Sequence, residues 1–241
     1  ILFIGKGFLG KPFYENLRWR QEHDIRMFQK ESIRLWQGNL LQEQDRIWNL
    51  RRSDDGEEVT TIINCAGFVQ ARTEKDPVGA AAINLGAVEA LCQLCERRGI
   101  KLIHVSTEYV FGGEPTGRPW QASDALCPSS ACYYGMLKAA ADKRVRRVHS
   151  HLILRPSVMP EPFPYRHAFT NVVSSKLPVI EAARRMGDAV AGGRSGVFHV
   201  AGIPQTIFDY VRSTGQSVEP AQATAEWLAT HPAYTAMQSN E

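Results

Sequence analysis

The chain has 241 residues, 44% hydrophobic and 22% charged, enough to bury a sizeable core as one large domain or one domain with a lobe. Its formal net charge of +3 is too small to argue for binding nucleic acid or a membrane surface, and no apolar run reaches ~18 residues, which excludes a transmembrane helix. Five scattered cysteines and seven histidines show no metal-ligand arrangement; Cys92-Gln-Leu-Cys95 has metal or redox spacing but no second pair, so no metal is expected and buried thiols in a reducing cytoplasm are the better reading.

In chain order, Ile1-Leu-Phe-Ile4 reads as a first strand, followed by a glycine turn and a helix to about Trp19. Gly5-x-Gly7-x-x-Gly10, directly between a strand and a helix, is the context a dinucleotide-binding turn requires. Gly5 permits the tight turn, Gly7 lets a pyrophosphate approach the backbone, and Gly10 allows close helix–strand packing. Phe8 and Leu9 complete the turn, and the helix N-terminus offers free N–H groups to phosphate. Asp24 to Phe28 reads as strand two. Its tip, Met27-Phe28-Gln29-Lys30, lacks the carboxylate that would bind a ribose 2′-OH, whereas Lys30 or Arg26 suits a 2′-phosphate. NADP is therefore favoured, with NAD as the second option.

Leu41 to Arg52 reads as helical and Val59 to Asn64 as strand three. Val78 to Arg98 has Ala80, Ile83, Ala87, Leu91 and Leu94 on one face of a long helix, which Gly99 ends. Lys101 to Ser106 is strand four, Gly112 to Ser130 a Gly-, Pro- and Ser-rich loop, and Leu152 to Arg155 strand five. The helix between them, to about Val148, carries Tyr134 and Lys138 four residues apart on one face. A nearby ammonium favours phenolate, so Lys138 is expected to lower the pKa of Tyr134. A hydroxyl from Thr107 or Ser106 would hold a substrate oxygen beside that phenol. With a dinucleotide site, these are the parts for reversible hydride transfer to a carbonyl. Alternation of strands and helices predicts a parallel sheet. Beyond Pro156, closely spaced prolines mark a smaller substrate lobe.

These residues resemble the extended short-chain dehydrogenase/reductase family and, within it, the dTDP-4-dehydrorhamnose reductase group. Beyond the glycine turn, the resemblance rests on Ile63-Asn-Cys-Ala-Gly67, Asp76-Pro77 leading to Asn84, Val105-Ser-Thr-Glu-Tyr-Val-Phe-Gly112, Tyr134-Gly-Met-Leu-Lys138 and Leu154-Arg-Pro-Ser157. It implies an α/β fold: a Rossmann-type doubly wound parallel sheet in residues 1–155, and a small substrate-binding lobe in residues 156–241 whose elements partly return to the core. It implies Tyr134 as proton donor, Lys138 at the nicotinamide ribose and Thr107 on the substrate carbonyl. Gln29 and Lys30 follow strand two, Asn39-Leu40 falls where the family contacts adenine, Cys65, Ala66, Gly67 and Asn84 flank the cofactor past strand three, and Pro156 approaches the nicotinamide. Glu108 followed by Tyr109 matches the reductases rather than the dehydratases and places both at the substrate, with Val158 where bacterial reductases carry a sugar-stacking Trp.

The resemblance thus implies an NAD(P)H-dependent reductase of a 4-keto-6-deoxy nucleotide-sugar, cytoplasmic, possible as a homodimer, with neither nucleic acid nor membrane as partner. A nucleotide-sugar epimerase would use the same residues. A non-catalytic NADP-binding regulatory subunit, like the β subunit of methionine adenosyltransferase, is the reading from another class. Finally, Lys176-Leu-Pro-Val-Ile180 runs into Glu181-Ala-Ala-Arg-Arg-Met186 without a turn or cap, which predicts that a segment of the substrate pocket is absent between Ile180 and Glu181.

Overall fold

Leu2, Phe3 and Ile4 are all buried, an apolar run covered on both faces, as a central parallel strand has to be. A computed structural model describes residues 1–23, 34–36, 59–112 and 117–240, and this strand, β1 (Leu2–Ile4), lies inside a six-stranded sheet. The helix α1 (Gly10–His23) follows it. The other sheet strands are β2 (Arg34–Trp36), β3 (Thr61–Asn64), β4 (Lys101–Val105), β5 (His151–Pro156) and a late strand, Gly196–Val200. Their order is Gly196–Val200, β5, β4, β3, β1, β2, and every pairing is parallel. The strand beside β1 is thus Arg34–Trp36, later than the expected Asp24–Phe28, which lies outside the described residues together with the helix expected over 41–52. A short strand at a sheet edge has too little sequence pattern to fix its position.

Alternate side chains divide the core into two layers. Leu2, Ile4, Ile62, Leu102 and Ile153 pack with one set of helices: α2 (Gln70–Lys75), α3 (Pro77–Ala81), α4 (Ala87–Arg98) and α5 (Tyr133–Val145) lie on this side, the core contacts coming from α4 and α5. Phe3, Ile63, Ile103, Leu152 and Leu154 pack with Phe13 and Leu17 of α1 and with Ala182, Ala183 and Met186 of a later helix, α6 (Val179–Ala191). Asp76 caps α3 by accepting from Gly79 N–H at 2.8 Å, Pro77 occupies the first turn, and Gly99 ends α4 in the left-handed region at φ 67°.

The run Pro77–Arg98 is, among the described residues, a helix long and apolar enough to cross a membrane, contrary to the reading from apolar runs alone. It packs Val88, Leu91 and Leu94 into the core, which accounts for its hydropathy, and Cys92 and Cys95 are free thiols buried on it.

Across Ile180 and Glu181 the chain is helical, α6 starting at Val179 and running through both residues. Pro178, extended at φ −54° and ψ 142°, makes the transition without a side-chain cap, and Glu181 in the first turn binds Arg184 and Arg185.

Beyond the sheet, a separate apolar cluster of Phe163, Ala168, Val172, Ile207, Tyr210 and Val211 builds the C-terminal lobe. Its strands are short: β6 (Val158–Met159), β7 (His167–Phe169), β8 (Val173–Ser174) and β9 (Leu177–Pro178), with β6 pairing β9.

Behind the sheet end, Asp142 and Arg155 form a fully buried ion pair at 2.9 Å, and Arg155 Nη1 lies 3.2 Å from His199 Nε2. Burial, then the Arg155 guanidinium, push the His199 pKa down to about 4. An unfolded histidine titrates near ~6.5, so between these values the unfolded chain binds more protons. This contribution is present above pH ~6.5 and is lost as the pH falls through 4, on the order of 3 kcal/mol. Urea unfolding at a series of pH values should show the decline, and His199→Gln should flatten it; an equally steep decline in the variant would assign it elsewhere.

Candidate active site

The site forms where β1, β3, β4 and β5 end. Gly5 has φ +90°, and a Cβ there would stand 2.4 Å from Ala66 N. A Cβ on Gly10 would stand 2.0 Å from Gly5 O, so the turn closes onto the segment after β3 only with glycine at both positions. Gly7, by contrast, has nothing within 4 Å of such a Cβ. It opens to solvent at the start of α1, where Lys11 N–H donates to Gly7 O at 2.9 Å, Phe13 N–H donates to Leu9 O at 3.2 Å and Pro12 has no N–H. Phe8, 56% exposed, and the partly buried Leu9 complete this cradle, whose open shape has room for a pyrophosphate.

Cys65 is tied to β1 by donating its N–H to Ile4 O at 2.7 Å, and burial pushes its thiol pKa up. Ala66 N–H donates to Asn64 Oδ1 at 3.1 Å. Gly67 leads to Phe68, whose N–H and C=O are both held by Asn84, at 2.7 and 2.9 Å. Asn84 sits in a π-helical turn, Ala82–Gly86, between α3 and α4, and so fixes the loop beside the cradle. Pro156 is buried at the end of β5 opposite Val200. Gln29, Lys30, Asn39 and Leu40 lie outside the described residues.

Thr107 caps the short 3-10 turn Glu108–Val110, accepting from Tyr109 N–H at 3.3 Å, and its hydroxyl acts on the nearby Tyr134 phenol. Neighbouring Ser106 Oγ is buried and, among the described residues, has no hydrogen-bond partner. Burial pushes the Tyr134 pKa up to about 12 against the Thr107 hydrogen bond. The expected depression by Lys138 is therefore not found. Lys138 Nζ instead donates to Val105 O at 2.7 Å and lies 3.3 Å from His104 Nε2, and burial lowers its own pKa to about 8.

Glu108, expected at the substrate, is 3% exposed and occupied by the chain itself. It accepts from Ser157 Oγ and Ser174 Oγ, each at 2.5 Å, from Thr235 Oγ1 at 3.1 Å, and from Lys176 Nζ. It joins the end of β4 to the lobe. Val158 packs against the sheet core with Leu9 and Cys65, while its neighbour Met159 lines a cavity of about 590 Å³.

That cavity is walled by Tyr109, Phe163, Phe169, Trp227, His231 and Lys176, among others. Trp227 stacks on His231 with centroids 4.1 Å apart and meets Phe169 at 4.8 Å. Tyr109 joins the cavity to Tyr134, since the two rings meet edge-on at 5.9 Å. The sequence reading named Tyr109 but missed Phe163, Phe169 and Trp227, which come from segments with no common motif.

A doubly wound parallel sheet with a glycine turn after its first strand, and Thr107, Tyr134 and Lys138 at its fourth strand, defines a Rossmann-type protein of the short-chain dehydrogenase/reductase kind. The chain belongs to the RmlD substrate binding domain family, whose model matches residues 2–177. It is 35% identical over 102 residues to a dTDP-4-keto-6-deoxy-D-glucose reductase of Streptomyces niveus, covering 42% of this chain and 34% of that protein. It is 36% identical over 99 residues to the dTDP-4-dehydrorhamnose reductase of Salmonella typhimurium, covering 40% and 32%. The match thus spans about a third of the length of these curated relatives. Among solved structures, the Bacillus anthracis dTDP-4-dehydrorhamnose reductase in complex with NADP superimposes with a TM-score of 0.75 at 20% identity, covering 99% of this chain and 90% of that one. A Streptomyces venezuelae dTDP-glucose 4,6-dehydratase with NAD bound gives 0.74 at 18%, covering 99% and 88%. Reductases and dehydratases share this fold.

Proposed function

We propose that the chain is an NADPH-dependent reductase of a 4-keto-6-deoxy nucleotide-sugar. The observation that carries this is the placing of Tyr134 beside Thr107 at the end of β4, next to an aromatic cavity. The names of the curated relatives, and the NADP in the Bacillus anthracis structure, support the reaction and the cofactor. In this reading residues 1–155 hold the cofactor and residues 156–241 cover the sugar, with α6 and the strand Gly196–Val200 returning to the sheet.

Bound NADPH would supply the hydride. Gly5, Gly7, Phe8, Leu9 and Gly10 would hold its pyrophosphate, with Gln29, Lys30, Asn39 and Leu40 toward the adenosine. Cys65, Ala66, Gly67 and Pro156 would line the remainder, the loop kept in place by Asn84. Thr107 and Tyr134 would both hydrogen-bond the keto oxygen. A Tyr134 pKa near 12 keeps the phenol protonated at neutral pH, ready to donate as negative charge develops on that oxygen. Tyr109 and the aromatic walls would exclude water and contact the sugar-nucleotide. Free thiols support a cytoplasmic location, and the exposed Val78, Tyr133 and Met136 support pairing with a second copy.

The deciding assay mixes the protein with NADPH or NADH and a panel of 4-keto-6-deoxy nucleotide-sugars and follows nicotinamide absorbance. NADPH should be consumed mole for mole with one of them and should bind more tightly than NADH. An interconverted sugar without net cofactor loss would make the protein an epimerase, and binding without any turnover would make it a regulatory subunit.

A further inference from the structure

Three successive side chains after β4 take three different places: Thr107 beside Tyr134, Glu108 inside the protein, and Tyr109 on the cavity wall. Glu108 is thus a fixed point next to the reacting end of the site, and whatever it holds is held there too. Its Oε2 accepts from the hydroxyls of Ser157, Ser174 and Thr235, and its Oε1 takes Lys176 Nζ. A lysine ammonium has three N–H donors. One goes to Glu108, and among the described residues no other acceptor takes the remaining two. Lys176 is 11% exposed and lines the cavity, between β8 and β9. Two other basic groups of the cavity, Arg166 and His167, are held by Glu219, and Arg166 is 77% exposed, so that end is the mouth. The cavity therefore has an inner polar end at Lys176 and Thr235, beside β4.

We propose that Lys176 is a specificity-determining residue which, anchored by Glu108, donates its two remaining N–H groups to hydroxyl oxygens of the bound sugar. This deepens the reductase reading and rests on it for the identity of the ligand. Pairing with Glu108 offsets the charge of Lys176, so little net attraction for a phosphate is left at this end. What remains is directional hydrogen bonding, which suits the oxygens of a polyhydroxylated ring. The amine is also held before any ligand arrives, because the carboxylate that anchors it is itself fixed by three hydroxyls. Little side-chain freedom is then lost on binding. A ligand without those oxygens would leave the inner N–H groups covered and unpaired, and such sites discriminate strongly against the poorer partner. Arg166, at the mouth, is left for the far end of the ligand.

Titration calorimetry on the full chain with saturating NADP tests this, using three pairs of probes: dTDP and dTDP-glucose, UDP and UDP-glucose, GDP and GDP-mannose. In at least one pair the wild type should bind the nucleotide-sugar more tightly than the bare nucleotide; no such pair overturns the proposal. Lys176→Met should then weaken the nucleotide-sugar by about tenfold or more and the bare nucleotide by less than about twofold. Equal losses, or none, overturn it equally, since a purely structural lysine would not distinguish the two probes. Lys176→Met leaves Glu108 buried without its cation, so Glu108→Gln with Lys176→Met is the second variant, read by the same criterion. If neither folds, NMR of the wild type decides. The 13Cε signal of Lys176, assigned by its loss in Lys176→Arg, should shift with the nucleotide-sugar and stay with the bare nucleotide; the same response to both overturns the proposal. None of these probes is a ketone, so failure here and failure of the reductase assay are separate results.

Discussion

Tyr134→Phe is expected to lower turnover at least ~100-fold while leaving NADPH affinity nearly unchanged, the usual scale for loss of a positioned acid. The phenol holds its proton at neutral pH and stands against the cavity wall through Tyr109, whereas Thr107 is a weak acid and the Lys138 amine is directed at Val105 O and His104. Removing one oxygen leaves the ring and its edge-on contact with Tyr109 in place, so the cavity should keep its shape. Binding of NADPH by fluorescence and single-turnover rates separate the two effects. Residual activity near that of the wild type would remove Tyr134 from the chemistry and favour a regulatory role.

Breaking the Asp142–Arg155 pair should be the most damaging change to stability. Both side chains are 0% exposed, so Asp142→Ala leaves a buried guanidinium whose Nε loses its carboxylate and whose Nη2 already lacks a partner among the described residues. A loss of 3–5 kcal/mol is the usual scale for such an orphaned charge, out of a total stability of roughly 5–15 kcal/mol. The paired replacement Asp142→Leu with Arg155→Met removes both charges and should recover much of it. Chemical denaturation of the single and paired variants gives the comparison; a single variant within about 1 kcal/mol of the wild type would show that the pair is not the keystone its burial implies.

What could be read from the chain beforehand was local. Gly5, Gly7 and Gly10 stand at fixed offsets within one turn, Tyr134 and Lys138 share a helix face, and the apolar stripe through Leu91 and Leu94 has helical period. What escaped reading was non-local. Nothing near Glu108 says that its carboxylate will be consumed by Ser157, Ser174, Lys176 and Thr235, or near Lys138 that His104 and Val105 O will be its partners. Pro178 shows the opposite case, a strand-to-helix junction without the polar cap that a sequence reader looks for.

The partners of Glu108 lie 49, 66, 68 and 127 residues further along the chain. On the ribosome, then, the first half of the sheet emerges with this carboxylate still hydrated, and the last of its four donors, Thr235, arrives 127 residues later. Loop-closure entropy delays such distant contacts, so the wall between β4 and the aromatic cavity is among the last parts to assemble. Until then the nascent chain can form its glycine turn, but the aromatic cavity has no finished wall.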